Sequence, residues 1–119
     1  MRIGELARLT AVSERSLRYY EEQGLLASTR TPGGHREYPP ASVDRVIRIQ
    51  ELFAAGLNSA TIAELLPCMR DVDGGPGENA TPWLEQELVA QRDKLDRAIG
   101  DLERSRQVLD EVIKAATGR

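Results

Sequence analysis

Read for period alone, the chain changes character several times. Residues 3–9 repeat at helical spacing, with Ile3, Leu6 and Ala7 on one face. A three-residue turn, Thr10-Ala11-Val12, leads to a second helical segment over residues 14–23, where Leu17 and Tyr20 share a face and Leu25 lies just beyond. Ser13 is suited to cap this segment, because its hydroxyl can accept from a first-turn N–H that has no helical partner. Gly24 can take the left-handed conformation that closes it. The period then shortens. Residues 25–30 and 36–38 are extended candidates around Thr31-Pro32-Gly33-Gly34-His35, and the Gly-Gly pair supplies the positive φ values of a tight hairpin. Helical spacing returns over residues 41–66. Pro40 or Ala41 opens one helix, with Val43, Val46, Ile47 and Phe53 on its core stripe and Gly56 as its stop. Asn58 or Ser59 caps another, which buries Ile62, Leu65 and Leu66 before Pro67 ends it.

Residues 67–81 carry prolines and glycines with no apolar period, the composition of a linker. Beyond them Thr81 caps a long helix, Pro82 takes its first position, and Glu85 and Glu87 complement the positive end of its macrodipole. Its apolar residues recur in sevens: Leu88, Leu95, Leu102 and Leu109 as a positions, with Leu84, Gln91, Ala98, Ser105 and Val112 at d. Leucines in register over three heptads predict a coiled coil. A helix over residues 82–115 is a rod of roughly 50 Å, too long for the rest of so small a chain to cover, so its expected partner is a second copy. The pattern therefore predicts a mainly α protein: a winged helix-turn-helix domain with a small β-hairpin wing over residues 1–66, a linker over 67–81, and a dimerisation coiled-coil helix over 82–115.

Charge sharpens this picture once it is divided along the chain. The net charge is -3, but residues 1–50 hold eight arginines against six acids, or +2, and residues 51–119 hold eight bases against thirteen acids, or -5. Exposed charges farther apart than ~8 to 10 Å are largely screened, so the acidic half does not prevent a local basic face from binding nucleic acid. Fourteen of the sixteen bases are arginine, whose planar fork suits bidentate contacts to phosphate and guanine. Arg15 and Arg18 are candidates for base edges or adjacent phosphates, with Ser16 beside them. Tyr19, Tyr20, Arg30, His35, Arg36 and Tyr38 are candidates for positioning on the backbone of double-stranded DNA. Tyr20 shares the face of Leu17 and reads first as a core residue, with the backbone contact as its alternative.

The series IGELARLTAVSERSLRYYEEQGLL, then GGHREY, then AAGLNSATIAELL resembles the MerR-type transcriptional regulators of bacteria, over residues 1–66. The resemblance implies that residues 41–66 act as a second helix-turn-helix wing, which makes Arg45 and Arg48 candidate backbone contacts. It also implies an antiparallel homodimer on an inverted repeat within an overlong promoter spacer, bent and untwisted so that RNA polymerase can engage both elements. The helix charges by themselves lean the other way. Antiparallel pairing brings Lys94 to the partner's Asp101 but Arg92 to the partner's Arg106, whereas parallel pairing gives two attractive contacts, and such exposed pairs are worth only ~0.2 to 1 kcal/mol each.

No cofactor and no metal is expected. Cys68 is the only cysteine and His35 the only histidine, which is too few ligands for zinc from one chain. Cys68 reads first as a linker or packing thiol, with a redox-sensing or metal role as alternatives. Trp83 reads first as a buried packing residue and second as the wall of a small effector pocket, whose ligand is unspecified. A single cysteine excludes an intramolecular disulfide framework, and no apolar run approaches the ~18 residues of a membrane span. Met1-Arg2-Ile3 leads directly into a helix, so a cytoplasmic protein is expected. Catalysis is not expected, because the histidine has no nearby nucleophile pair and no phosphate-binding Gly-Lys motif is present. Two other readings stay open: a coiled-coil adaptor that binds protein, and a DNA-architectural or recombination-accessory protein.

Overall fold

In a computed structural model, which describes residues 1–68 and 81–119, the elements run α1 (Ile3–Thr10), α2 (Glu14–Glu22), β1 (Thr29–Arg30), β2 (Arg36–Glu37), α3 (Ser42–Ala54), α4 (Ser59–Leu65), a 3₁₀ turn (Leu66–Cys68) and α5 (Pro82–Thr117). The fold is mainly α, a helix-turn-helix with a two-stranded hairpin wing and a long C-terminal helix. It forms two units, Met1–Leu84 and Glu85–Arg119. Most of the predicted linker, residues 69–80, lies outside the described residues, as does the side chain of Cys68.

The first unit is built from short helices whose ends are specified locally. Ser13 Oγ accepts from the Ser16 N–H at 3.1 Å and starts α2. At its other end Gly24 sits at φ 75°, its N–H donates to the Glu21 carbonyl at 3.1 Å, and the Leu25 N–H donates to the Tyr20 carbonyl at 2.9 Å. Those two bonds are the Schellman closure, which needs a left-handed residue and so favours glycine. The same pair of bonds closes α3 at Gly56. Asn58 Oδ1 caps α4 through the Thr61 N–H at 2.9 Å, and Thr81 Oγ1 caps α5 through the Leu84 N–H at 3.2 Å. Turning the chain at these points brings Leu6, Val12, Leu17, Tyr20, Leu25, Leu26, Tyr38, Val46, Ile49, Ile62 and Leu66 into one core, with α1 packed on both α2 and α3.

Two expectations for this unit are corrected. Ile47 is 44 % exposed, and Ile49 is the fully buried member of the α3 stripe. Successive helical residues are about 100° apart, so a stripe centred near Val46 and Phe53 leaves Ile47 on its flank and reaches Ile49 instead. The strands are shorter than the extended segments predicted, because Leu25 and Leu26 turn into the core directly after the Schellman closure. The hairpin pairs Thr29 with Glu37 and Arg30 with Arg36. Of the two glycines at its tip only Gly34 has a positive φ, 80°. The Gly34 N–H donates to the Thr31 carbonyl and the Thr31 N–H to the His35 carbonyl, both at 2.8 Å, which makes a Pro32-Gly33 turn followed by a left-handed residue.

α5 begins with Pro82 as predicted and ends two residues later than predicted. Leu84 is only 2 % exposed and belongs to the first unit, which removes it from the predicted dimer seam. Its neighbour Trp83 is 53 % exposed, contrary to the expectation of a buried packing residue. Side chains adjacent on a helix diverge by about 100°, and Leu84 takes the inward position. In the second unit Leu95, Leu102, Leu109 and Val112 are exposed, and Leu88 is half-buried. The small seam residues Ala98 and Ser105 are exposed and Gln91 is half-buried. Ile99 and Ile113, which the heptad reading passed over, are exposed beside the leucines and widen the apolar stripe.

Candidate nucleic-acid interface

α1 and α2 meet through a turn in which Ala11 adopts φ 58°. A left-handed alanine costs roughly 1 kcal/mol, and what it allows is a reversal short enough to bury Val12 beneath both helices. With Leu17 and Tyr20 committed to the core, the remaining face of α2 is decided by helical geometry. Arg15, Arg18, Tyr19 and Glu22 fall within a sector of about 100° and all four are exposed. Ser16 lies about 60° outside that sector, half-buried, and its hydroxyl accepts from Ser13 Oγ at 3.0 Å.

The wing folds back beside this face and completes a cleft of about 480 Å³, lined by Arg2, Ile3, Gly4, Glu14, Arg18, Arg30, Gly34, His35 and Arg36. Four arginines from three separate elements and the chain start thus line one space with a single acidic residue, Glu14, among them. The tip is held internally, since Arg30 Nη1 donates to the Gly34 carbonyl at 2.9 Å and the His35 N–H donates to Thr31 Oγ1 at 3.2 Å. The base of the wing is held by Glu21 of α2. One of its carboxylate oxygens accepts from the Tyr38 hydroxyl at 2.8 Å, and the other lies 3.3 Å from Arg36 Nε. Burial, and after it the bond to the Glu21 carboxylate and its charge, push the Tyr38 hydroxyl up to about 12, so it remains a proton donor.

The structure therefore sorts the sequence candidates. Arg15, Arg18, Tyr19, Arg30 and His35 are exposed, and Arg36 is half-buried on the cleft wall. Tyr38 is fully buried, which corrects it as a direct backbone contact, and Tyr20 is nearly so, in the core place that its face predicts ahead of the backbone contact. Tyr20 stacks on Phe53 with ring centroids 5.7 Å apart, and its hydroxyl accepts from Gln50 Nε2 at 3.1 Å. Arg45 is half-buried, with Nε donating to the Leu25 carbonyl at 3.1 Å, so it ties α3 to the chain leaving α2. Arg48 pairs with Glu51 at 3.1 Å on an open face of α3. Sequence reasoning passed over Arg2 and Glu21. Nothing local marks Arg2, whose cleft partners are spread along the chain from Glu14 to Arg36. Among the described residues no group of three or more His, Cys, Asp or Glu side chains is placed to hold a metal, and no helix is long and apolar enough to cross a membrane.

Comparison with known proteins places this geometry in context. Residues 1–68 match the family model described as MerR HTH family regulatory protein. The transcriptional regulator GlnR of Bacillus anthracis is 42% identical over 64 residues, which are 54% of this chain and 50% of GlnR, so the match spans half the length of that relative. The mercuric resistance operon regulatory protein of Pseudomonas fluorescens is 34% identical over 118 residues, covering 98% of this chain and 77% of its own. Among solved structures, HiNmlR, a MerR family regulator lacking the sensor domain and bound to promoter DNA, shares the fold with a TM-score of 0.67 at 20% identity, over 98% of this chain and 94% of that one.

Proposed function

The chain belongs to the MerR HTH family of regulatory proteins, and from that premise we propose that it binds promoter DNA as a homodimer, each protomer presenting α2 to a major groove of an inverted repeat. The observation that carries this reading is the single cationic face: Arg15, Arg18 and Tyr19 of α2 beside a cleft walled by Arg2, Arg18, Arg30 and Arg36. Groove-facing arginines on a helix read base edges, whereas guanidinium groups on a wing hold phosphates and fix register. Arg15 and Arg18 take the first role; Arg2, Arg30, His35 and Arg36 take the second, with Arg48 on outer phosphates. The apolar stripe of α5 supplies the seam of the dimer through Leu88, Leu95, Leu102, Leu109 and Val112, with Gln91, Ala98 and Ser105 between them. Residues 1–66 then serve as the reader and residues 82–115 as the dimerisation element.

The same reading extends to promoter control. A two-fold dimer that grips both half-sites bends and untwists the spacer between them so that RNA polymerase engages both elements. Deforming a site of 20 to 30 base pairs costs on the order of 1 to 6 kcal/mol, recovered through the added contacts. Selection of bound duplexes from a random pool, followed by anisotropy titration against a scrambled duplex, tests the proposal. An inverted repeat bound ~10³-fold or more above scrambled DNA is the expected result. An absence of enrichment would turn attention to the apolar face of α5 and a protein-binding adaptor.

A further inference from the structure

Glu21 is an acid on the helix that faces DNA, a place where a carboxylate repels phosphate. It is half-buried at the edge of the exposed face of α2, and both of its oxygens are engaged. We infer that Glu21 is a positioning residue for DNA binding: by holding Tyr38 Oη and Arg36 Nε at once, it sets the wing against α2 and aims the Arg36 guanidinium into the phosphate cleft. The inference rests on the DNA-binding reading above.

Three features support it. The two partners differ in kind and in place. Tyr38 is a fully buried anchor whose backbone is also held by Met1, with its N–H donating to the Met1 carbonyl and its carbonyl accepting from the Met1 amino group, each at 2.7 Å. Arg36 is a half-exposed residue on the cleft wall. A carboxylate that joins a buried anchor to a partly exposed guanidinium restricts the second through the first. The ion pair is made through Nε, the nitrogen nearest the side-chain stem, which fixes the plane of the fork. Finally, the wing itself is only two residues wide on each strand, so its own ladder bonds set its direction weakly. An arginine aimed in advance loses less side-chain freedom on meeting a phosphate than one that must be ordered by it.

Another role for the same geometry predicts the opposite sign. If Glu21 only competed with phosphate for Arg36, removing its charge would tighten binding. The experiment uses the full chain as wild type, Glu21→Gln, Arg36→Ala and the double variant, with a fluorescein-labelled duplex selected by the wild type from the random pool and thermal melts of each protein. Glu21→Gln is expected to bind about tenfold more weakly, the scale of one lost charge-assisted contact, while still melting cooperatively above the temperature of the titration. In the Arg36→Ala background the Glu21→Gln change is expected to have no further effect, because the residue it positions is gone. Binding equal to or tighter than wild type, or losses that multiply in the double variant, would overturn the inference. Tyr38→Phe supplies a second measurement should Glu21→Gln unfold: it keeps both charges and lacks only the anchoring bond. A loss of the same sign supports the inference, and unchanged affinity overturns it. A wild type with no preference for the selected duplex over scrambled DNA is a separate outcome that removes the DNA-binding reading itself, and the inference with it.

Discussion

Tyr38 joins core to wing, and its hydroxyl gives the fold a pH signature. Its pKa rises from 10.0 to about 12, first through burial and then through the bond and charge of Glu21. The folded state therefore holds this proton more tightly than the unfolded chain, so the contribution to stability is complete below pH 10 and is lost as pH climbs through about 12. Denaturation midpoints of wild type are expected to fall more steeply than those of Tyr38→Phe across that window, and parallel curves would contradict the assignment. Backbone geometry gives a second expectation. No atom lies within 4 Å of a Cβ added at Gly24, yet its φ of 75° makes Gly24→Ala cost about 1 to 2 kcal/mol in the residue's own backbone. Urea unfolding measures it, and a change below a few tenths would show that the closure relaxes. For function, Arg18→Ala is expected to weaken binding of the selected duplex by roughly 1 to 3 kcal/mol and to relax base preference at one position of each half-site. Repeated selection with the variant reads that directly, and an unchanged site would demote Arg18 to a phosphate contact.

At the scale of elements, what was legible in the sequence was whatever is specified locally. The caps at Ser13, Asn58 and Thr81 and the glycine stops at 24 and 56 act within one turn of their own position, and all of them stand where the pattern predicts. The wing was legible as a hairpin, but its extent was not: Leu25, Leu26 and Tyr38 carry strand-like side chains that tertiary packing claims for the core. The heptad of α5 shows the same limit. A seven-residue repeat does not say which of its members the chain itself covers, and Leu84, in register with the seam, is already buried in the first unit. That difference separates two variants of the same helix. Leu84→Ala removes a buried side chain and is expected to cost about 2 to 5 kcal/mol in unfolding of the first unit, seen in thermal melts. Leu95→Asp changes an exposed residue of the isolated chain and is expected to leave that unit's melt alone while abolishing the dimer in sedimentation equilibrium. A Leu95→Asp protein that still sediments as a dimer would remove the coiled-coil seam.

For the molecule as a whole, the acidic net charge of -3 conceals a binding face that the chain assembles only on folding. Arg2, Arg18, Arg30 and Arg36 are scattered over 35 positions of sequence, and it is the Schellman turn after α2 and the return of β2 to Glu21 that bring them to one cleft. Individual arginines could be nominated from the sequence, but their convergence could not, since it depends on contacts between residues as distant as Met1 and Tyr38. Convergence has a measurable consequence for a dimer. If each of the four arginines assigned to phosphate, Arg2, Arg30 and Arg36 of the cleft and Arg48 of α3, neutralises one phosphate on both half-sites, eight counterion-releasing contacts form, and log K against log salt is expected to fall with a slope of roughly -7. A duplex carrying a single half-site engages one cleft, and the slope there is expected to be about half as steep, roughly -3.5. Anisotropy titrations of both duplexes from about 0.05 to 0.2 M salt compare the two on one protein preparation. Equal slopes would mean that one protomer alone contacts DNA on the full site, and the two-fold arrangement would have to be abandoned even if the affinity for the inverted repeat were high.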